Sequence, residues 1–436
     1  MASAALSNSF TADNCQDLLE WLRQRGGSYA SGVRVGQNLG ERGLFASEDV
    51  PADATLLSVP VDLHIRAPRV SPQHGSREDD RLAIDLLNKM HGRGASNWEK
   101  WTASLPGNYT TPLHWSDATV ALLGDAELIS TVERQRARLE RRYSDLRSRV
   151  STNGYGPGVN PAPSNGYGLF NLLTFEMYRH CYATIRCRAA YLDEETEGAR
   201  QAIVPIGDLF NHSTTAPNVA AAYDAAARAY VYTATQPIAA GDELLVSYGA
   251  HDNATLLKHY GFVPRGPNPH DRVAVALGDA ADDGRLATGA AARAWLAEQG
   301  FDSGHALTHD GPSFELLAAL RLRHATDDEY RNGAAFAIAE GEAVSDANEA
   351  RVWRAVGDLA RALARPPSEA EDDRRRIDAL RQKPNVEPGE AHELLAREFR
   401  AARAALVEAN VARAEREARA REGEGGAKRR RTEPAD

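Results

Sequence analysis

Asp208-Leu209-Phe210-Asn211-His212-Ser213 and, further along, Gly241-Asp242-Glu243-Leu244-Leu245-Val246-Ser247-Tyr248-Gly249 are the two stretches whose reading decides the fold. In the first, an Asn-His pair sits on the end of an apolar run. In the second, an apolar run closes on Tyr-Gly. Taken singly, the Asn-His-Ser triplet reads as a capped turn and Ser-Tyr-Gly as a strand end. Working outward, short β-like segments at residues 202–206, 229–233 and 243–248 surround the pair. Others at 43–46 and 55–59 precede it, punctuated by Gly and Pro.

Between and beyond these segments the pattern turns helical. Leu18, Leu19, Trp21 and Leu22 form an apolar stripe that stops at Gly26-Gly27. A helical pattern starts at Arg81, and Ser116 has the chemistry of an N-cap. Residues 125–150 predict one long charged helix facing solvent. A Gly/Asn/Pro loop at 151–168 separates it from a helix at 169–182. From Asp271 onward Ala, Leu, Glu and Arg dominate, with helices expected at 314–322, 347–364 and 388–421. The reading is α+β: a β-rich part interrupted by helices, then an all-α part.

Composition narrows the function. With 51 Lys and Arg against 61 Asp and Glu, the net charge of −10 argues against a general nucleic-acid surface. Cys15, Cys181 and Cys187 are the three cysteines, an odd set that suits a reducing compartment and cannot build a four-cysteine zinc site. No metal site is expected. No apolar run approaches the ~20 residues that span a bilayer. The first ten residues lack a basic n-region, so a secretory signal is not expected. Lys428-Arg429-Arg430-Arg431 reads either as a solvated tail or as a nuclear import signal. The nucleus or cytoplasm is therefore the expected location, ahead of a plastid.

The ordered pair of motifs resembles the two signatures of SET-domain protein methyltransferases, in which the segments cross to form a knotted site. Knots are nearly absent from protein folds, so sequence that encodes one is specific. The chain as a whole is similar to the subfamily that includes the Rubisco large-subunit lysine methyltransferase. Residues 98–117 resemble its insert signature, with Trp101 in place of a tyrosine. Leu256-Leu257-Lys258-His259-Tyr260-Gly261-Phe262-Val263 resembles the segment after the knot, and Asn268-Pro269-His270-Asp271-Arg272-Val273 the entry to its helical domain. The resemblance implies an N-terminal helical extension (1–27), a β-rich knotted SET domain (28–265) with a helical insert at about 75–168, an all-α substrate-binding domain (266–422) and a disordered basic tail (423–436).

It also implies a cofactor, S-adenosylmethionine, and roles for particular residues. Gly40, Glu41 and Arg42 lie in the turn that wraps the cofactor through its backbone, where glycine permits close approach. The family usually carries an acidic residue at the position of Gly40. Asn211 and His212 are expected to contact the cofactor, with Tyr260 and Phe262 forming an aromatic wall over its adenine; core packing is the alternative for those two rings. Arg188, Asp208 and Tyr223 are expected on the substrate side, Tyr223 being equally readable as a buried strand tyrosine. Two residues after the arginine the family often has an aromatic, where this chain has Ala190 and then Tyr191. Cys187 replaces the usual serine, and no paired base marks it as a nucleophile.

Tyr248 is the expected catalytic residue. Methyl transfer is a displacement whose catalysis is mainly alignment of nucleophile, methyl and leaving group. A lysine of unperturbed pKa about 10.4 must first lose its proton, which an apolar channel favours. The expected activity is lysine N-methylation of a protein substrate by a monomer that uses neither membrane nor nucleic acid. Histidine methylation is the nearest alternative; that variant resembles a site with a bulky residue just before the knot's aspartate, where Gly207 stands here. A silent SET scaffold is the alternative of another class.

Overall fold

The computed structural model describes residues 12–38, 41–67, 77–92, 95–153, 173–191, 201–278 and 289–431. Gly40 lies outside the described residues, as does the side chain of Glu41. The chain folds as two units, one comprising Met1–Pro264 with Ile377–Arg397, the other Arg265–Arg376 with Glu398–Asp436.

In the first unit, helix α1 (Ala12–Arg23) is followed by strands β1 (Ser28–Tyr29), β2 (Val33–Asn38), β3 (Glu41–Ala46), β4 (Thr55–Pro60) and β5 (Ile65–Arg66). Helices α2 (Glu78–His91), α3 (Glu99–Thr102), α4 (Asp117–Ala121), α5 (Ala126–Asn153) and α6 (Phe175–Arg188) come next. Then come β6 (Ala189–Tyr191), β7 (Gln201–Ile203), β8 (Asn211–His212), β9 (Val219–Asp224), β10 (Ala229–Ala234) and β11 (Leu245–Val246). The antiparallel sheet β1-β4-β10-β9 packs its alternate residues Leu57, Val59, Tyr230 and Tyr232 into the core. Beside it lie the hairpin β2-β3 and the sheet β5-β7-β6.

The decisive pairing is the smallest. Strands β8 and β11 run parallel, Leu245 opposite Asn211 and Val246 opposite His212. Parallel neighbours require a crossover rather than a turn, so the chain between them must loop round, as the two quoted motifs imply. The strand expected over 243–248 is only two residues long here. The carbonyls of its two residues serve irregular partners: Ser213 N–H donates to the Val246 carbonyl (3.0 Å) and Asn218 N–H to that of Leu245 (2.9 Å).

Helix α5 departs from expectation. It is charged, yet Leu128, Val132, Leu139 and Leu146 are buried, which gives it a packed face. Arg142 on the same helix reaches Asp80 (2.6 Å) and Asp79 (3.3 Å), anchoring it to α2. Helix α6 begins at Phe175 because the Thr174 hydroxyl caps it, accepting from Met177 N–H (3.2 Å). Ser116 caps α4 as its sequence suggests, accepting from Thr119 N–H (3.1 Å).

The second unit is helical around a core that includes Leu316, Leu320, Val352, Val356, Leu406 and Val407. It also holds a three-stranded sheet that the helical patterning hid: β12 (Arg272–Ala274), β13 (Ala306–Thr308) and β14 (Gly311–Pro312). Strands this short carry too few residues to show a period. The final helix runs Pro388–Arg431, so residues 423–431, expected as part of a disordered tail, continue it. Glu424, Ala427, Lys428, Arg429, Arg430 and Arg431 are good helix formers, although Gly423, Gly425 and Gly426 oppose them. Among the described residues no helix is long and apolar enough to cross a membrane.

Candidate active site

The two parallel dipeptides bring His212 and Tyr248 together. The Tyr248 backbone N–H donates to His212 Nδ1 (3.0 Å), and the rings stack with centroids 5.0 Å apart. A nitrogen that accepts carries no proton, so the neutral imidazole holds its proton on Nε2. Tyr260 stacks on the other side of Tyr248 at 4.9 Å, and Phe262 stands 6.1 Å from His212 and 6.4 Å from Tyr260. All four rings are half-buried. They come from three separate segments and pack as one aromatic cluster.

The Tyr248 hydroxyl donates to the Phe210 carbonyl (2.7 Å). Burial pushes this phenol above its ordinary pKa, with nearby Arg188 pulling the other way. It therefore remains a neutral donor at any ordinary pH. Tyr260 is raised for the same leading reason.

Asp208 is engaged from two directions. Arg188 donates to its carboxylate and to its backbone carbonyl, both at 2.9 Å, and Trp101 Nε1 donates to the other carboxylate oxygen at 3.2 Å. The carboxylate is wholly buried. Asp208, expected on the substrate side, has its carboxylate buried here and held by Arg188 and Trp101. Trp101, fully buried, gives its position in the insert a physical role.

Asn211 is likewise an internal tie. Its Nδ2 donates to the Arg42 carbonyl (2.8 Å) and to Glu243 Oε1 (2.7 Å), holding β3 against the crossing. Glu243 also accepts from Asn38 Nδ2 (3.4 Å). Arg42 extends to the Ser104 carbonyl in the insert (2.5 Å). Strand β3 is thus fastened to β8 by the Asn211 side chain. Gly43 fits this closeness, since a Cβ there would lie 2.8 Å from Asn211 Nδ2 and 2.5 Å from Glu243 Oε1.

Tyr223 stands on β9 opposite Tyr230 and packs against the core of the first unit. Cys187 donates to the His259 carbonyl (3.2 Å), and burial pushes its thiol up to about 12, which makes it a poor nucleophile. The Tyr260 wall is held from below. A turn of π-helix, Leu256–Tyr260, ends at Gly261, and Thr110 from the insert donates to the Gly261 carbonyl (2.7 Å). Such π-turns recur at functional sites. The neighbouring Tyr109 donates to Thr184 on α6 (2.9 Å). Tyr109, Thr110, Phe210 and Glu243 lie inside the quoted motifs, which do not show their partners; Tyr232 has no motif at all, because it acts on Gly207 and Phe210, distant in sequence.

The turn before the crossing is strained. Ile206 has φ +71° and ψ −43°, a conformation β-branched residues avoid at a cost of about 1–3 kcal/mol. Gly207 follows, where a Cβ would meet the Tyr232 hydroxyl at 2.0 Å.

The comparisons agree with this architecture. The SET domain family matches residues 41–249, and the Rubisco LSMT substrate-binding family matches residues 290–408. Actin-histidine N-methyltransferase of Dasypus novemcinctus is 28% identical over 375 residues, and that of Homo sapiens 27%. Each alignment takes in 80% of this chain and 61% of the relative, so the chain spans less than two thirds of the relatives' length. Among solved structures, the SET domain of LSMT bound to lysine and AdoHcy superposes with TM-score 0.65 at 19% identity, covering 94% of this chain and 92% of that one. Rubisco LSMT bound to AdoMet gives 0.63 at 17%, covering 93% and 92%. At such identities the likeness speaks for the fold. Taken with the parallel crossing of Asn211-His212 and Leu245-Val246, the two family matches make this chain a SET-domain protein with a Rubisco LSMT substrate-binding domain, homologous to the SET-domain methyltransferases.

Proposed function

We propose that the chain is an S-adenosylmethionine-dependent protein methyltransferase whose acceptor is a lysine side chain. The observation that carries this reading is the Tyr248 hydroxyl, desolvated and aimed at the Phe210 carbonyl where the two strands cross. The residues present fit the cofactor. A sulfonium cation is accommodated by aromatic faces and carbonyl oxygens, which the rings of His212, Tyr248, Tyr260 and Phe262 and the Phe210 carbonyl supply. When bound, S-adenosylmethionine supplies an electrophilic methyl group.

The rest is the chain's own work. Tyr248 holds its hydroxyl where it can accept from or orient an incoming nitrogen. Phe262 and Tyr260 offer faces on which a purine can stack. Asn211 holds β3 in place through the Arg42 carbonyl. The nearby carboxylates are occupied, Asp208 by Arg188 and Trp101, Glu243 by Asn211 and Asn38. The acceptor nitrogen therefore arrives already neutral rather than giving its proton to a side chain in the site.

Lysine is favoured because Gly207 offers no side chain next to Asp208 and Tyr232 occupies that space. Histidine is the second reading, supported by the names of the relatives. The two differ in pH dependence. For a lysine of pKa about 10.4, log kcat/KM climbs with unit slope beyond pH ~9, whereas for histidine it levels off above about 6.5. The test is incubation with methyl-labelled S-adenosylmethionine and proteome extract, beside Tyr248→Phe, followed by peptide mass spectrometry. Labelled lysine, lost in the variant, supports the proposal, and the rising profile should accompany it. Labelled histidine moves the chain to the second reading. Cofactor binding with no transfer to any protein identifies a binding scaffold instead.

A further inference from the structure

Tyr248 is held through Phe210, and Phe210 belongs to the strained turn that begins at Ile206 (φ +71°). A strained turn persists only when its surroundings over-determine it. Three observations converge on one side chain as the cause. The Tyr232 hydroxyl fills the space that a side chain at Gly207 would take, with a Cβ there falling 2.0 Å from the oxygen and 2.5 Å from Cζ. The Tyr232 ring lies flat on Phe210, centroids 4.5 Å apart and planes within 11°. Immediately after Tyr232 the pairing of β10 with β4 slips: Tyr232 opposes Leu57, but Thr233 opposes Thr55. Such irregularities re-aim side chains beside functional sites.

We infer that Tyr232 is a positioning residue: wedged against Gly207 and stacked on Phe210, it fixes the Phe210 carbonyl under the Tyr248 hydroxyl. The central sheet thereby reaches the site through one phenol, from Tyr232 to the turn and from the turn to Tyr248. Tyr232 is only 4% exposed, so it acts from behind the site without touching a substrate. Its phenol is pushed well above the ordinary pKa, first by burial and then by Tyr230, Asp208 and Tyr248, which places it in the same buried polar group.

This inference rests on the reading of Tyr248 as the working hydroxyl, so its test needs a signal that does not depend on turnover. In full-length protein carrying 13Cζ-tyrosine, the Tyr248 resonance is assigned by its loss in Tyr248→Phe. Tyr232→Phe keeps the stacking ring and removes only the wedge. The expected result is a displaced Tyr248 resonance, an unchanged thermal midpoint, and kcat lowered about tenfold with KM for S-adenosylmethionine unchanged. The kcat effect should disappear when Tyr248→Phe is already present, because the two changes then act on one missing hydrogen bond. A Tyr248 resonance that stays in place overturns the inference, as does a kcat effect that persists undiminished in the Tyr248→Phe background. A displaced resonance in a protein that transfers no methyl group supports the positioning role and overturns the methyltransferase reading instead.

Discussion

At the scale of single residues, the site is built from side chains whose polar ends are turned inward. Asp208 is the clearest case. Its carboxylate, wholly buried, balances Arg188, whose own guanidinium is held in its charged form by Asp208 against the opposing effect of burial. Removing one member of a buried pair leaves the other charge uncompensated, at a cost of about 3–5 kcal/mol. Asp208→Ala is therefore expected to lower unfolding stability by that amount, measured by urea titration. Asp208→Asn, which keeps an acceptor for Trp101, is expected to lose less. If both variants unfold like the wild type, Asp208 does not anchor the turn. The sequence singled out Asp208, Asn211 and Arg188 as site residues, but not their inward direction. A motif records which residue types occur, whereas the direction of a side chain depends on partners such as Trp101 and Arg42 that lie far away in the chain.

At the scale of elements, the legible parts were those with a long local period. Helices α1 and α2 announce themselves through their apolar stripes, as does the strand pattern of β4 and β10. The crossing of β8 and β11 is two residues wide, and no period exists at that length; the motif pair found it only because the same spacing recurs in a known family. The clasp between the insert and the π-turn joins two stretches that the motifs mark separately, with nothing local to show their contact. Gly261 has φ +79°, and a Cβ there would sit 2.5 Å from Thr110 Oγ1 and 2.9 Å from the Thr111 nitrogen. Gly261→Ala thus meets both backbone strain and a backbone neighbour that cannot swing away. The expected cost is about 1–3 kcal/mol from conformation alone, with weaker S-adenosylmethionine binding because the Tyr260 wall shifts. Calorimetric titration of the variant checks this; full affinity in a destabilised variant would show that the clasp serves stability only.

At the scale of the whole chain, charge and burial together set the response to acid. The net charge of −10 at neutral pH shrinks as carboxylates protonate, which relieves repulsion. Half-buried and buried histidines act the other way. Burial depresses His114 to about 3, helped by Arg179, His180 and His392 nearby, and burial with Arg186 and Lys258 does the same to His259. His180 and His392 are lowered too, again first by burial. In the unfolded chain these rings bind protons near pH 6.5, so between about 6.5 and 3 the unfolded state holds more protons than the folded one. Stability is therefore full above that window and falls as pH falls through it. At about pH 5 each of the two most depressed histidines contributes a loss on the order of 1–2 kcal/mol. Asp85, raised by burial, opposes the trend, since a carboxyl with an elevated folded pKa gains stability as it protonates. Urea midpoints of the first unit should accordingly drop between pH 7.5 and ~5. His114→Gln should flatten the drop, because it removes the titrating ring while leaving a side chain able to meet the Thr111 hydroxyl, which His114 Nδ1 contacts at 3.3 Å. An equally steep drop in that variant would place the acid sensitivity elsewhere, with His259 in the π-turn as the next residue to replace.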